Sequence, residues 1–185
     1  YMWAENDRIL FMKDVGGDEN FRLFGIRPDG TDLRAYTDFE GVRTVLIDDL
    51  EEQPGFVLIG LNRRNPEVFD PYRLNTETGE LTMLAENPGN IQGWMTDHQG
   101  RLRVATAIVD GVNTQILYRD SEEEEFREVL TTNFKEVVSF MEFTPEDKEV
   151  FAATNLHRDK MALVRMNPAN CEELELLYED ENYDV

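Results

Sequence analysis

One cysteine, Cys171, stands in the 185 residues. That excludes an intramolecular disulfide and a thiolate metal cluster, and leaves Cys171 as a structural thiol. Histidine is nearly as scarce, with only His98 and His157 present. Neither belongs to an HExxH motif or to a paired spacing that would hold zinc. No run approaches the roughly 18 apolar residues of a membrane-spanning helix, so no membrane partner is expected. Positive charge is short as well: 18 Lys and Arg stand against 39 Asp and Glu, for a formal net charge of −21. A field of that sign repels phosphate backbones, so nucleic acid is a poor partner for the surface as a whole. Also missing is a Gly-x-Ser-x-Gly elbow, the strand-to-helix turn on which α/β-hydrolases mount their nucleophile. Ser121 falls in an acidic turn and Ser139 inside a strand pattern. No catalytic residue, cofactor or metal is therefore assigned. The chain opens on Tyr1 rather than Met, which reads as a piece of something longer and leaves the compartment unassigned.

What is present is a repeat. Hydrophobic residues make up 41% of the chain, enough for a core in spite of 31% charged residues. The stretch Phe69–Leu84 reads as two short strands, Phe69–Asn75 and Leu81–Leu84, around a polar turn in which Gly79 supplies a positive φ. A lone hairpin of this kind is marginal in water, and the chain multiplies it. The apolar strands RILFMKD, GFVLIGL, LRVATAI and EVFAATN align on Phe11, Leu58, Ala105 and Ala152, in steps of 47 residues. The strand after each centres on Ile26, Leu74, Tyr118 and Met166, and a further strand begins at Leu33, Leu81, Phe126 and Leu174. The strand before each centres on Ile47, Trp94 and Met141; of its first copy only Tyr1–Trp3 remains.

Four antiparallel strands per repeat of about 45 residues is the pattern of a β-propeller blade. The expected fold is thus all-β: one partial propeller domain over residues 1–185, with blades at about 1–40, 41–88, 89–134 and 135–180 and the first one clipped. A sandwich would not repeat its repeat. The acidic run Ser121–Glu125 reads as a solvated turn rather than a helix. Tight turns gather on one rim, and longer connections are expected on the other, at Asp14–Asn20, Asn62–Phe69, Asp110–Asn113 and Asn155–Lys160. Trp3 and Trp94 are expected in the core between blades. Four blades in a row leave two faces uncovered. Either these four close tightly or they form an arc of a larger ring, and Tyr178–Val185, as the lead-in to another blade, favours the arc. Two such arcs could also cover each other's faces as a homodimer.

Two sets of carboxylates stand out. Glu19, Glu67 and Asp159 each precede a third-strand centre by seven residues, which suits side chains that fix a loop through backbone N–H groups or a nearby arginine. Asp48, Asp49, Asp97 and Glu142 fall in or at the ends of the innermost strands, where they would make the central channel acidic. The oxygen-rich loop Asp14–Asn20 lacks the register of a calcium-binding loop. His157 with Asp159 could orient an imidazole, but no Ser or Cys is sequence-adjacent to complete a triad.

GGDENFRLF at Gly16–Phe24, IGLNRRNPEVFDPYRLNTETGELTML at Ile59–Leu84, and the later segments HRDKMALVRMNP and YEDENYDV resemble the non-catalytic propeller of prolyl oligopeptidase family serine peptidases. The likeness is greatest to the acylaminoacyl-peptidase and dipeptidyl-peptidase branches. It spans essentially the whole chain and is most specific in the second blade. The resemblance implies a propeller of roughly seven or eight blades that caps a C-terminal α/β-hydrolase domain and restricts its substrates to short peptides. The Glu-Glu pair by which dipeptidyl peptidases hold a substrate amine has no match in the right setting, since Glu51-Glu52 lie in a turn and Glu172-Glu173 at an outer strand. A different class remains open, a stand-alone binding propeller of the TolB type.

Overall fold

The computed structural model describes residues 1–4 and 7–185. Among them the regular structure is entirely strand, and it falls into two compact units, Tyr1–Gly89 and Asn90–Val185. The first unit holds β1 (Met2–Ala4), β2 (Arg8–Lys13), β3 (Arg22–Ile26) and β4 (Arg34–Ala35), then β5 (Thr44–Asp48), β6 (Phe56–Asn65), β7 (Val68–Asn75) and β8 (Leu81–Met83). The second holds β9 (Ile91–Thr96), β10 (Leu102–Val109), β11 (Asn113–Tyr118) and β12 (Arg127–Thr132), then β13 (Val138–Phe143), β14 (Val150–Thr154), β15 (Ala162–Met166) and β16 (Glu173–Tyr178). These make four separate four-stranded sheets, each an antiparallel meander in chain order. The pairing lies within each repeat, as the period requires of propeller blades.

The beats at Phe11, Leu58, Ala105 and Ala152 all land on the second strand of their sheet. In the second of them, β6, both faces are covered, and Val57–Leu61 is buried without interruption. Strands with one wetter face alternate instead, as in β14 and β15, where every other residue is buried. Ile26, Leu74, Tyr118 and Met166 mark the ends of their strands rather than the centres. Each is the last large apolar side chain before a polar turn, and that makes it conspicuous in the sequence.

In the first unit one core joins both sheets through Leu10, Leu23, Tyr36, Val57, Ile59 and Leu74. Polar bonds reinforce it. Thr44 N donates to Phe21 O at 2.8 Å, and Thr37 Oγ1 lies 2.6 Å from Thr44 Oγ1 while accepting from Leu23 N at 2.7 Å. Gly60 is needed for close approach, since a Cβ there would come within 2.7 Å of Val45 Cγ2. The second unit packs Val104, Ile116, Phe143, Val150, Val164 and Met166 between its two sheets.

Two expectations need correction. The connection foreseen at Asn62–Phe69 is mostly strand, because β6 and β7 run on until Asn65 pairs with Val68. The one at Asp110–Asn113 is a tight hairpin turning at Gly111, φ 73°. The two tryptophans also part company. Trp94 packs on Phe126 with ring centroids 5.8 Å apart, whereas Trp3, on β1, is 60% exposed.

Candidate functional site

Loops are where binding groups concentrate, and the candidate carboxylates divide between loops and the first strand of each sheet. Asp48 is half-buried and accepts the N–H of Leu50 at 2.9 Å, while Asp49 and Glu142 are exposed. Asp97 behaves differently. Its side chain has no exposed surface; Oδ1 accepts from the backbones of Gln99 and Arg101, and Oδ2 accepts from Arg101 Nε at 2.7 Å and Arg103 Nη1 at 3.0 Å. It holds a turn and a buried arginine rather than facing a channel. The same strands expose apolar groups, Leu46 and Met141, so acid does not dominate their surface.

Arg103 explains why Asp97 is turned inward. The register of β10 against β9 shifts between Leu102 and Val104, leaving Arg103 as the extra residue of a bulge. Its guanidinium enters the second unit's core, donating to Arg119 O at 2.8 Å and to the Tyr118 hydroxyl, and lying over the rings of Tyr118 and Phe143. A buried cation of this kind requires a paired anion, and Asp97 supplies it. Glu122, from the acidic run expected to be solvated, accepts the N–H of Leu102 at 2.9 Å.

The side chains that fix the loops are neighbours of those expected. In the first blade Asp18, not Glu19, accepts from Val15 N at 3.3 Å, Asn20 N at 3.1 Å and Arg22 Nη2 at 2.9 Å, while Glu19 is exposed. Arg22 is nearly buried and reaches Asp38 as well, at 3.2 Å. In the second blade Asp70 takes the place foreseen for Glu67. Its carboxylate, wholly buried, receives Arg64 Nε at 3.0 Å, Arg64 Nη2 at 2.9 Å and Asn87 N at 2.8 Å. Arg64 Nη2 also donates to Asn87 O at 2.7 Å, so one ion pair ties the β6–β7 hairpin to the chain leaving the sheet. In the fourth blade Asp159 projects into solvent, and Arg158 pairs with Glu173 at 2.5 Å. Aspartate in a strand otherwise read as apolar, within FDPY, is the signal that points to Asp70. Asp18 and Arg22, four apart, carry the matching signal in the first blade.

Both histidines lie in turns. His98 N donates to Asp147 Oδ1 at 3.0 Å, and its Nδ1 lies 2.8 Å from the same oxygen. Gln99 and Arg101 stand near the other oxygen. Burial works to raise the Asp147 pKa, but the His98 backbone and ring and Gln99 together hold the carboxyl below its ordinary value. This contact joins the β9–β10 turn to the β13–β14 turn. His157 is exposed at φ 62°. Among the described residues no group of three His, Cys, Asp or Glu could hold a metal ion, and no helix is long and apolar enough to cross a membrane.

No family model matches the chain. Over 141 residues it is 26% identical to dipeptidyl aminopeptidase BIII of Pseudoxanthomonas mexicana, covering 72% of this chain and 20% of that protein. Over 97 residues it is 32% identical to dipeptidyl peptidase family member 6 of Caenorhabditis elegans, covering 47% of this chain and 13% of that protein. The chain thus spans a fifth or less of the length of these curated relatives. Among solved structures, TolB from Acinetobacter baumannii superposes with a TM-score of 0.58 at 16% identity, over 90% of this chain and 39% of that one. A prolyl endopeptidase structure gives 0.61 at 9% identity, over 94% of this chain and 26% of that one. Identities so low speak for the fold, and the two dipeptidyl peptidases speak for the sequence. The chain has the β-propeller fold that TolB and a prolyl endopeptidase share, and in sequence it is similar to parts of two dipeptidyl peptidases.

Proposed function

We propose that this chain is the non-catalytic propeller portion of a serine peptidase, filtering peptide substrates for an α/β-hydrolase domain of the parent protein. The observation that carries the reading is the sequence similarity to two dipeptidyl peptidases, over 141 and 97 residues. Sheets stacked around an axis leave a narrow channel, which an extended peptide can thread and a folded domain cannot. Asp48, Asp49 and Glu142 are the carboxylates proposed to meet a peptide there, favouring an amine terminus or basic side chains. The test is labelling with a serine-directed fluorophosphonate alongside aminoacyl and acyl-aminoacyl chromogenic substrates. This chain alone is expected to take no label and give no turnover; serine-dependent turnover by it contradicts the reading.

Superposition on TolB over 90% of the chain favours a second reading, a stand-alone scaffold propeller. Recovery of one stoichiometric heterologous partner in a pulldown, with no linked hydrolase domain, would support it. Under either reading we propose that the isolated chain pairs with a second copy through uncovered sheet faces, where Trp3, Leu174 and Tyr178 are exposed. Light scattering is expected to show a mass that rises with concentration; a concentration-independent monomer contradicts the pairing.

A further inference from the structure

The first unit contains a polar cavity that nothing above uses. Arg8 on β2 and Arg27 and Arg34 at the two ends of the β3–β4 turn converge on one carboxylate, Asp32. Its Oδ2 lies 2.6 Å from Arg8 Nη2, 3.1 Å from Arg34 Nη2 and 3.7 Å from Arg27 Nε. Oδ1 accepts from Arg34 Nε at 3.2 Å. Arg8 is nearly buried and is fixed further by donating to Asp32 O. Three guanidinium groups therefore share a single anion, within a protein whose net charge is −21. They line a cavity of about 240 Å³ whose other walls carry Asp7, Thr76 and Glu77. Arg34 Nη1 joins the two sides by donating to Glu77 O at 2.5 Å. Arg27 stands in an ion pair too long for a hydrogen bond, and half of its side chain is open to solvent.

We propose that this cavity binds a small zwitterion, an amino acid or dipeptide, with its carboxylate on Arg27 and Arg34 and its ammonium on Asp7 and Glu77. A simple anion entering here would face Asp7 and Glu77, and a simple cation would face three guanidinium groups. A molecule carrying both charges suits a lining that holds both signs. The planar guanidinium fork matches a carboxylate in two hydrogen bonds. Size agrees, since the cavity falls below the roughly 300 Å³ at which pockets for drug-sized ligands begin. The long-range field agrees too: a molecule of −21 repels free anions but not a solute of zero net charge.

The test is calorimetric titration of the intact chain with alanyl-alanine, its C-terminal amide, its N-acetyl derivative and inorganic phosphate. Alanyl-alanine is expected to saturate one site, and each capped form to bind about tenfold more weakly or worse, as loss of a charged hydrogen bond implies. Arg27→Ala and Glu77→Gln are expected to weaken alanyl-alanine by a similar factor, and Arg27→Lys to restore part of it. Both side chains are exposed, so unfolding midpoints should stay put. The proposal is overturned if alanyl-alanine does not saturate. It is equally overturned if the acetylated form and phosphate bind as well as alanyl-alanine while Glu77→Gln changes nothing, because that describes an anion site alone.

Discussion

Asp70 keeps a carboxylate in a place with no solvent, and Arg64 with Asn87 is what makes that tolerable. Removing the cation from such a pair leaves an uncompensated buried charge, which costs more than the pair itself contributes. Arg64→Ala is therefore expected to destabilise the fold, read as a lower urea midpoint. Asp70→Asn, which keeps the shape and removes the charge, should cost less. Asp147 gives a pH signature. Its carboxyl is held below the ordinary 3.8 in the folded state, so its contribution is complete above that value and fades as pH falls through the lower folded value. Asp147→Asn should lower stability at neutral pH, where that contribution is complete, and flatten the fall below about pH 4, so that the two stability curves converge in acid. At this scale the sequence was only partly legible. Acidity at strand starts was visible, but which carboxylate turns inward depends on its partner. Asp18 beats Glu19 because a short side chain reaches its own loop's N–H groups and Arg22 together. Asp97 left the channel because a bulge sends Arg103 inward.

The hairpin turns show how far local pattern reaches at the scale of the element. Asn75 O accepts from Gly79 N at 2.8 Å and Asn75 Oδ1 from Glu77 N at 2.9 Å. The turn after β15 repeats this two blades on, Asn167 O accepting from Cys171 N at 2.8 Å and Asn167 Oδ1 from Ala169 N at 2.9 Å. Cys171 thus occupies a left-handed position, φ 56°, where its counterpart is Gly79 at φ 78°. The cysteine is buried, which pushes its thiol up to about 11 and leaves it a poor nucleophile. Gly79→Ala is expected to cost about 1 kcal/mol from backbone strain alone, as Tyr36 Cδ1 stands at an ordinary 4.0 Å. Gly60→Ala should cost about 1–3 kcal/mol for a different reason, overpacking against Val45. In a Val45→Ala background that cost should fall, and equal costs in both backgrounds would refute the steric account. The strands themselves were legible because a fixed period compounds weak signals, whereas connection lengths were not. Polar residues such as Asn62 and Arg63 read as loop, yet they extend a hairpin because Arg63 lies over Phe39 at 4.5 Å and Arg43 N donates to Asn62 Oδ1.

For the molecule as a whole, the sequence period and the sheets agree because blade-forming strands find partners next to themselves in the chain, so contacts are local and need no long-range code. Function is less legible for the same reason. A scaffold repeats its residues, while a site occurs once, and the feature that breaks repetition here, three arginines on Asp32, carries no pattern in one dimension. The charge of −21 makes one further expectation: added salt should raise the unfolding midpoint by screening self-repulsion, with most of the gain reached by about 0.15 M. The account rests above all on strands pairing inside each 47-residue repeat, and interstrand proton contacts measured by NMR test that directly. It predicts cross-strand contacts between Phe151 and Arg165 and between Ala105 and Leu117. Contacts that instead join second strands of different repeats, Leu58 to Ala105 or Ala105 to Ala152, would contradict it.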